Sequence, residues 1–193
     1  MASTLNTLLY PTLLVATLFV YSVPVTASQR LVDLSQSFVE FKVKVLGFML
    51  VTGRFHDVHG SIADSSLKDD LELDITVAVE SMDTRNSLRD DLLRGPAFFD
   101  AERFPTIRFS HARLKDCEDG RKQLVGNLTL RGITQPVVFE LTPPEPEHKP
   151  GETLWGDHAA YTTIRRTDFG LDGFGASVSN EVEIMVYVKD SDL

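Results

Sequence analysis

Apolar and polar side chains alternate at most positions in four segments of this chain, at residues 39–45, 71–79, 123–131 and 178–188. Successive side chains of a β-strand point to opposite faces of the sheet, so this period of two predicts strands with one buried and one solvated face. The apolar residues assigned to the buried faces are Val39, Phe41, Val43, Val45, Leu71, Leu73, Ile75, Val77, Val79, Leu124, Gly126, Leu128, Leu130, Val178, Val182, Ile184, Val186 and Val188.

Four weaker strand patterns bring the predicted total to about eight strands, at residues 51–62, 106–114, 136–142 and 156–165. One stretch is typical of a helix, because Thr84 or Asn86 provides an N-cap and Gly95, followed by a proline, ends it. The pattern therefore predicts an all-β fold, either a sandwich or a barrel. Periodicity does not decide whether the interior of a barrel is filled or holds a ligand.

The composition excludes several classes of protein. The chain has 193 residues, which suits a single domain, and its 42% apolar content excludes intrinsic disorder. A formal net charge of -9 argues against nucleic-acid binding, which needs a basic surface. The same charge argues against electrostatic adsorption on anionic lipid head groups. The single Cys117 has no partner for an internal disulfide.

The first residues have the pattern of an export signal. No charged side chain precedes Arg30, and residues 8–25 are mostly apolar. Val25-Thr26-Ala27 then places small residues where a signal peptidase cleaves. We interpret residues 1–27 as a signal peptide and residues 28–193 as the exported domain, without stable membrane insertion after cleavage. An uncleaved membrane anchor is the alternative, because the leader lacks the usual early Lys or Arg.

The sequence contains no strong signal for catalysis or metal binding. His56 and His59, with Asp57 between them, form the best metal candidate. Residues three apart on a strand point to opposite faces, however, and no third ligand is near in sequence. The chain has no Gly-x-Ser-x-Gly nucleophile motif and no phosphate-binding glycine loop. We therefore predict no metal site, no cofactor and no enzymatic activity.

Four motifs occur in order along the exported part of the chain. They are Asp83-Thr84 with Arg89-Asp90, residues 98–109 (FFDAERFPTIRF), residues 128–137 (LTLRGITQPV) and residues 164–170 (IRRTDFG). Together these motifs resemble the YceI-like family of exported bacterial proteins. The resemblance covers essentially residues 30–188.

This resemblance implies an antiparallel, eight-stranded, lipocalin-like barrel with one or two short helices. It further implies a periplasmic protein that binds a polyisoprenoid lipid, such as a quinone or a polyprenyl phosphate, and that has no catalytic residue. A homodimer is compatible with it. The residues expected to form the apolar lining of the ligand site are Val39, Phe41, Val43, Val45, Leu73, Ile75, Val77, Phe109, Leu128, Leu130, Phe139, Ile184 and Val186. The residues expected at a polar mouth of the barrel are Arg89, Asp90, Arg166 and Asp168.

The chain departs from the family pattern at two positions where many members carry histidine. Gln36 occupies the histidine position of the motif Asp-x-x-His-Ser, and Leu92 occupies the histidine position of the motif Arg-Asp-x-His-Leu. A head-group contact made by those histidines is therefore not transferred to this chain. The apolar positions are retained, so binding of the lipid tail is the firmer inference.

Two other functions are compatible with the same sequence. A barrel filled by its own side chains would be an interaction module without a ligand, since any barrel needs inward apolar residues. A secreted enzyme for a small apolar substrate would need a polar cluster inside the cavity, which the strand patterns do not predict. An apolar cavity would favour lipid binding, whereas a packed interior would favour the interaction module.

Overall fold

The computed structural model describes residues 28–32, 34, 37–65, 70–141 and 158–188, so the predicted signal peptide and Gln36 lie outside the described residues. The strands are β1 (Ser28–Val32), β2 (Phe38–Val45), β3 (Met49–Phe55), β4 (Val58–Ser65), β5 (Asp70–Ala78), β6 (Met82–Asp83), β7 (Thr106–Asp116), β8 (Lys122–Leu130), β9 (Ile133–Leu141), β10 (His158–Arg165) and β11 (Val178–Val188). The helices are α1 (Ser87–Arg94) and three short 3-10 helices, at Val79–Ser81, Arg166–Phe169 and Gly175–Ser177.

All of these strands belong to one sheet, in the order β1-β4-β5-β7-β8-β9-β10-β11-β2-β3-β6. Every neighbouring pair is antiparallel. The sheet curls into a half-barrel whose edges are β1 and the two-residue strand β6. The prediction of an all-β, antiparallel, lipocalin-like fold is confirmed.

The number of strands is larger than the eight that the sequence pattern predicted. The segment predicted as one strand at residues 51–62 is two strands, β3 and β4, which are separated by His56 and Asp57. The short strands β1 and β6 had no alternating pattern that could reveal them. Strand breaks and short edge strands depend on pairing with distant segments, so periodicity within a segment does not report them.

The helix α1 begins and ends where the sequence predicted. Asn86 is the N-cap, and its Oδ1 accepts a hydrogen bond of 3.1 Å from the backbone N–H of Arg89. Gly95 follows the last turn and donates its N–H to the Leu92 carbonyl at 3.2 Å. No helix among the described residues has the length and apolar content needed to cross a bilayer.

Strand β8 shows how alternation becomes a buried face. Leu124, Gly126, Leu128 and Leu130 are buried, whereas Val125 between them is exposed. Glycine is required at position 126, because a Cβ there would lie 2.8 Å from the Phe109 ring on β7. The inward faces of the long strands therefore meet in one apolar interior.

Several connections lie together at one end of the sheet, which we call the helix end. In antiparallel pairs the end of one strand lies beside the start of its neighbour. Ala78 accordingly pairs with Thr106, Leu130 with Ile133, and Val45 with Val178. The segment that contains α1, the β8–β9 turn, the β10–β11 connection and the β2–β3 turn all leave the sheet at this end.

Candidate functional site

The half-barrel encloses a cavity of about 170 Å³. All of the lining side chains are apolar except Arg166. Twelve of the predicted lining residues surround it: Val39, Phe41, Val43, Leu73, Ile75, Val77, Phe109, Leu128, Leu130, Phe139, Ile184 and Val186. Val45, the last residue of β2, is not among the lining residues, although its cross-strand partner Val178 is one of them.

Sequence reasoning missed the residues that close the cavity at the helix end. Leu93 is the next-to-last residue of α1, Phe98 and Phe99 follow the helix, and Leu171 lies in the β10–β11 connection. None of these residues belongs to a strand, so no alternation marks them as inward. The motif at residues 98–109 contains both phenylalanines, but its resemblance to the family does not predict the direction of their rings.

The Phe99 ring, which follows α1, packs against the sheet. The Phe99 ring is 5.7 Å from the Phe55 ring in an edge-to-face arrangement and 6.5 Å from the Phe41 ring. The Phe99 N–H donates to the Leu93 carbonyl at 2.9 Å, which holds the turn against the helix. Aromatic pairs at these separations add to the stability of simple burial, so this end is a packed cap of the cavity.

Arg166 is a buried cation at the cavity wall, with 5% of its surface exposed. Its guanidinium donates to backbone carbonyls of the β10–β11 connection and of the first two residues of β11. The acceptors are Ser179 (3.0 Å), Gly173 (3.3 Å), Gly175 (2.6 Å), Val178 (3.1 Å) and Leu171. Within the described part of the chain, no carboxylate forms an ion pair with Arg166, and these carbonyl dipoles stabilise its charge.

Three other residues were predicted at a polar mouth, and the structure places them apart from the cavity lining. Asp90 is buried and accepts hydrogen bonds from the Thr84 N–H at 2.9 Å and the Thr84 hydroxyl at 2.5 Å. Arg89 donates its Nε to the same hydroxyl at 2.8 Å. This network ties the first turn of α1 to the end of β6. Asp168 is half exposed, and one of its carboxylate oxygens is 4.0 Å from Arg165 Nε.

The ionisable clusters lie on the outer face of the sheet. Burial raises the pKa of Glu40, but hydrogen bonds from Arg54 and Lys42, together with their positive charges, outweigh that effect and lower it below the usual value. On β7, the hydrogen bond from Arg108 to the Asp74 carboxylate raises the pKa of Arg108. Neither cluster faces the cavity, and the described lining residues include no carboxylate and no histidine.

The histidines considered as metal ligands are on the surface. His59 Nε2 is 2.8 Å from the Asp57 carboxylate, and both side chains are mostly exposed to solvent. Across the described ranges of the chain, no three His, Cys, Asp or Glu side chains come close enough together to hold an ion. The arrangement of the cavity is thus suited to enclosing an apolar group rather than to metal or acid–base chemistry.

Comparison with known proteins places the chain among homologues of similar size. The sequence profile described as "YceI-like domain" matches residues 31–189. A UPF0312 protein from Yersinia pestis is 32% identical over 161 residues, covering 79% of this chain and 80% of that protein. A UPF0312 protein from Pseudomonas aeruginosa is 31% identical over 158 residues, with the same coverage.

Solved structures share the fold at lower identity. BcnA of Burkholderia cenocepacia superposes with a TM-score of 0.66 at 20% identity, covering 81% of this chain and 98% of BcnA. The Campylobacter jejuni YceI protein has a TM-score of 0.62 at 21% identity, covering 79% and 91% of the two chains. A polyisoprenoid binding domain from Saccharophagus degradans has a TM-score of 0.59 at 14% identity, covering 84% and 97%.

Proposed function

The chain belongs to the YceI-like family, and on that premise we propose that it binds a polyisoprenoid lipid in the cavity of the half-barrel. The observation that carries the proposal is a cavity wall that is apolar throughout except for Arg166. An isoprenoid tail has no directional polar groups, so dry apolar surface is all that its site requires. The polyisoprenoid binding domain with the same fold supports this choice of ligand.

The size of the cavity determines how much of a lipid it can hold. Its volume of about 170 Å³ is close to that of an engineered cavity of about 150 Å³ that binds benzene. One isoprene unit of five carbons therefore fits without rearrangement. Each buried methylene-like group contributes roughly 0.8 kcal/mol, so several units are needed for tight binding. A longer tail needs more space than the cavity has in this structure.

The cavity also bears on the two alternatives. A barrel filled by its own side chains would leave no such space, so the enclosed volume favours a ligand over the interaction module. An enzyme would need several polar groups converging on the substrate. Arg166 is the one charged residue of the lining, and its donors already bind backbone carbonyls. We therefore assign a binding function to the cavity.

Native mass spectrometry of the protein isolated from the cell envelope tests this proposal. We expect adducts whose masses differ by whole C5H8 units or match one isoprenoid, and the mass identifies a quinone or a polyprenyl phosphate. The same measurement follows uptake of a polyprenol presented in detergent. A protein that carries no lipid on isolation and takes up no polyprenol would contradict the proposal.

We further infer that residues 1–27 are a signal peptide and that the mature domain, which starts at Ser28, is periplasmic. The support is the uncharged apolar leader followed by Val25-Thr26-Ala27. N-terminal sequencing of the protein from the cell envelope should begin at Ser28. An intact Met1 terminus on the envelope protein would instead indicate an uncleaved anchor.

A further inference from the structure

The turn between β2 and β3 exposes an unusual set of apolar side chains. Phe48 is 81% exposed, Leu46 58%, Leu50 57% and Met49 46%. Phe174, in the connection between β10 and β11, is 63% exposed. Turns in water normally consist of Gly, Asn, Asp, Ser and Pro, whereas Gly47 is the one residue of that kind here. We call Leu46, Phe48, Met49, Leu50 and Phe174 the apolar tip.

Two residues of the apolar tip also have a strained backbone. Leu46 has a φ of 53° and Phe174 a φ of 59°, in the left-handed region that disfavours bulky side chains. Among the described residues they are the apolar side chains with positive φ, since the other non-glycine cases are Arg, Asp and His. Asparagine at position 46 would fit this backbone better. Burial of these side chains does not offset the strain of their backbone. This indicates that they have a functional role rather than a stabilising one.

The apolar tip is continuous with the cavity wall. The Leu46 N–H donates to the Ser177 carbonyl at 2.7 Å, which joins the β2–β3 turn to the β10–β11 connection. The Phe174 ring is 5.5 Å from the ring of Phe98, which lines the cavity. Val178, the first residue of β11, also lines the cavity. The β10–β11 connection therefore joins the exposed turn to the wall of the cavity.

Lys44 is an exposed basic side chain beside the tip, and it pairs across the strands with Leu50. Lys42 and Arg54 lie farther along β2 and β3, and both are ion-paired with Glu40. Because the chain also has a net charge of -9, docking has to come from the apolar side chains rather than from charge. A lysine beside exposed apolar side chains is typical of segments that enter the head-group region of a bilayer.

We propose that the apolar tip docks the protein on a lipid bilayer, so that a membrane lipid passes along the helix end into the cavity. The second step rests on the proposed lipid-binding function; the docking step does not. The bilayer is favoured over a second copy of the chain because five side chains are few for a stable dimer. A standard interface has about 20–30 residues on each side.

Flotation with vesicles of phosphatidylethanolamine and phosphatidylglycerol tests the docking step on the full mature chain. Phe48→Asp should bind the vesicles at least about tenfold more weakly, because an exposed ring that leaves water on docking is replaced by an anion. Leu46→Asn should also weaken binding while the protein becomes more resistant to urea, which separates docking from folding. Val138→Asp, at an exposed apolar position on the outer face of β9, is the matched control and should bind as wild type does.

A depth measurement gives a second readout. With Trp155 replaced by Phe, Phe48→Trp introduces a single indole, whose emission should shift to the blue and be quenched by brominated lipids in these vesicles. Wild-type binding by Phe48→Asp, or an introduced indole that stays in water, would overturn the proposal. So would a wild-type dimer that Phe48→Asp dissociates without any vesicle binding, since the tip would then be a dimer interface.

The docking step and the lipid-binding function fail in different ways. If both hold, Phe48→Asp still takes up a polyprenol presented in detergent but takes it up from vesicles at least about tenfold more slowly than wild type. If the cavity binds no lipid, wild type floats with vesicles and takes up nothing from detergent. If only docking is wrong, wild type and Phe48→Asp take up the lipid at the same rate from both sources.

Discussion

The ring of Phe41 on β2 lies against the backbone of Gly53, its antiparallel partner on β3. A Cβ built on Gly53 would lie 2.5 Å from Phe41 Cε1 and 2.8 Å from Thr84 Cγ2. The other side of the Phe41 ring faces the cavity, where it neighbours the rings of Phe55 and Phe99. Because Gly53 has no side chain, the Phe41 ring can lie close to β3 and takes up less of the cavity.

Gly53→Ala should destabilise the protein by about 1–3 kcal/mol, because the methyl group overlaps the Phe41 ring and Thr84. Urea unfolding of the mature chain measures the loss. The double variant Gly53→Ala with Phe41→Leu should recover part of that stability, since the smaller side chain yields space to the methyl group. Strictly additive effects of the two substitutions would contradict this contact.

Leu128→Trp tests whether the cavity is empty space that a ligand can occupy. Leu128 on β8 lines the cavity, so the introduced indole ring should occupy the cavity. The free energy of unfolding should change little, and lipid uptake should be blocked. Val125→Trp, on the outward face of the same strand, is the matched control and should leave uptake unchanged. If Leu128→Trp destabilises the lipid-free protein by about 1–3 kcal/mol, the interior is packed like an ordinary core.

Arg166→Lys should cost about 3 kcal/mol or more of stability, because an ammonium cannot replace a guanidinium that donates to five backbone carbonyls. Its neighbour Arg165 is mostly exposed, so Arg165→Lys should change stability by less than about 0.5 kcal/mol. Urea unfolding compares the two variants. Equal stabilities would show that the hydrogen bonds of Arg166 do not hold the β10–β11 connection.

The lowered pKa of Glu40 predicts a loss of stability in acid. Its unfolded pKa is about 4.3, and the hydrogen bonds from Arg54 and Lys42 keep the folded value lower despite burial. The unfolded chain therefore binds the proton first, so the contribution of Glu40 is present above the unfolded pKa and is lost as the pH falls through the folded pKa. Unfolding free energies of wild type and Glu40→Gln, measured from neutral pH into acid, should converge as the pH falls. A constant difference would disprove this linkage.

The elements that the sequence predicted best are those whose signal is local. Val39, Phe41 and Val43 face the cavity because alternate residues of a strand share a face, and Asn86 caps α1 because its side chain reaches an N–H three residues on. The split between β3 and β4 was missed because nothing within residues 51–62 competes with the strand pattern. It follows from the pairing of β4 with β5 and of β3 with β2.

What the sequence determined by itself is therefore the fold class, the inward faces of the long strands and the family. Only the tertiary structure decided which residues line the cavity. It placed Val45 outside the cavity and brought Phe98, Phe99 and Leu171 into its wall. It also left Leu46, Phe48 and Phe174 exposed. The physical reason is that periodicity fixes the direction of a side chain within its own strand, whereas enclosure depends on how distant segments meet when the sheet curls.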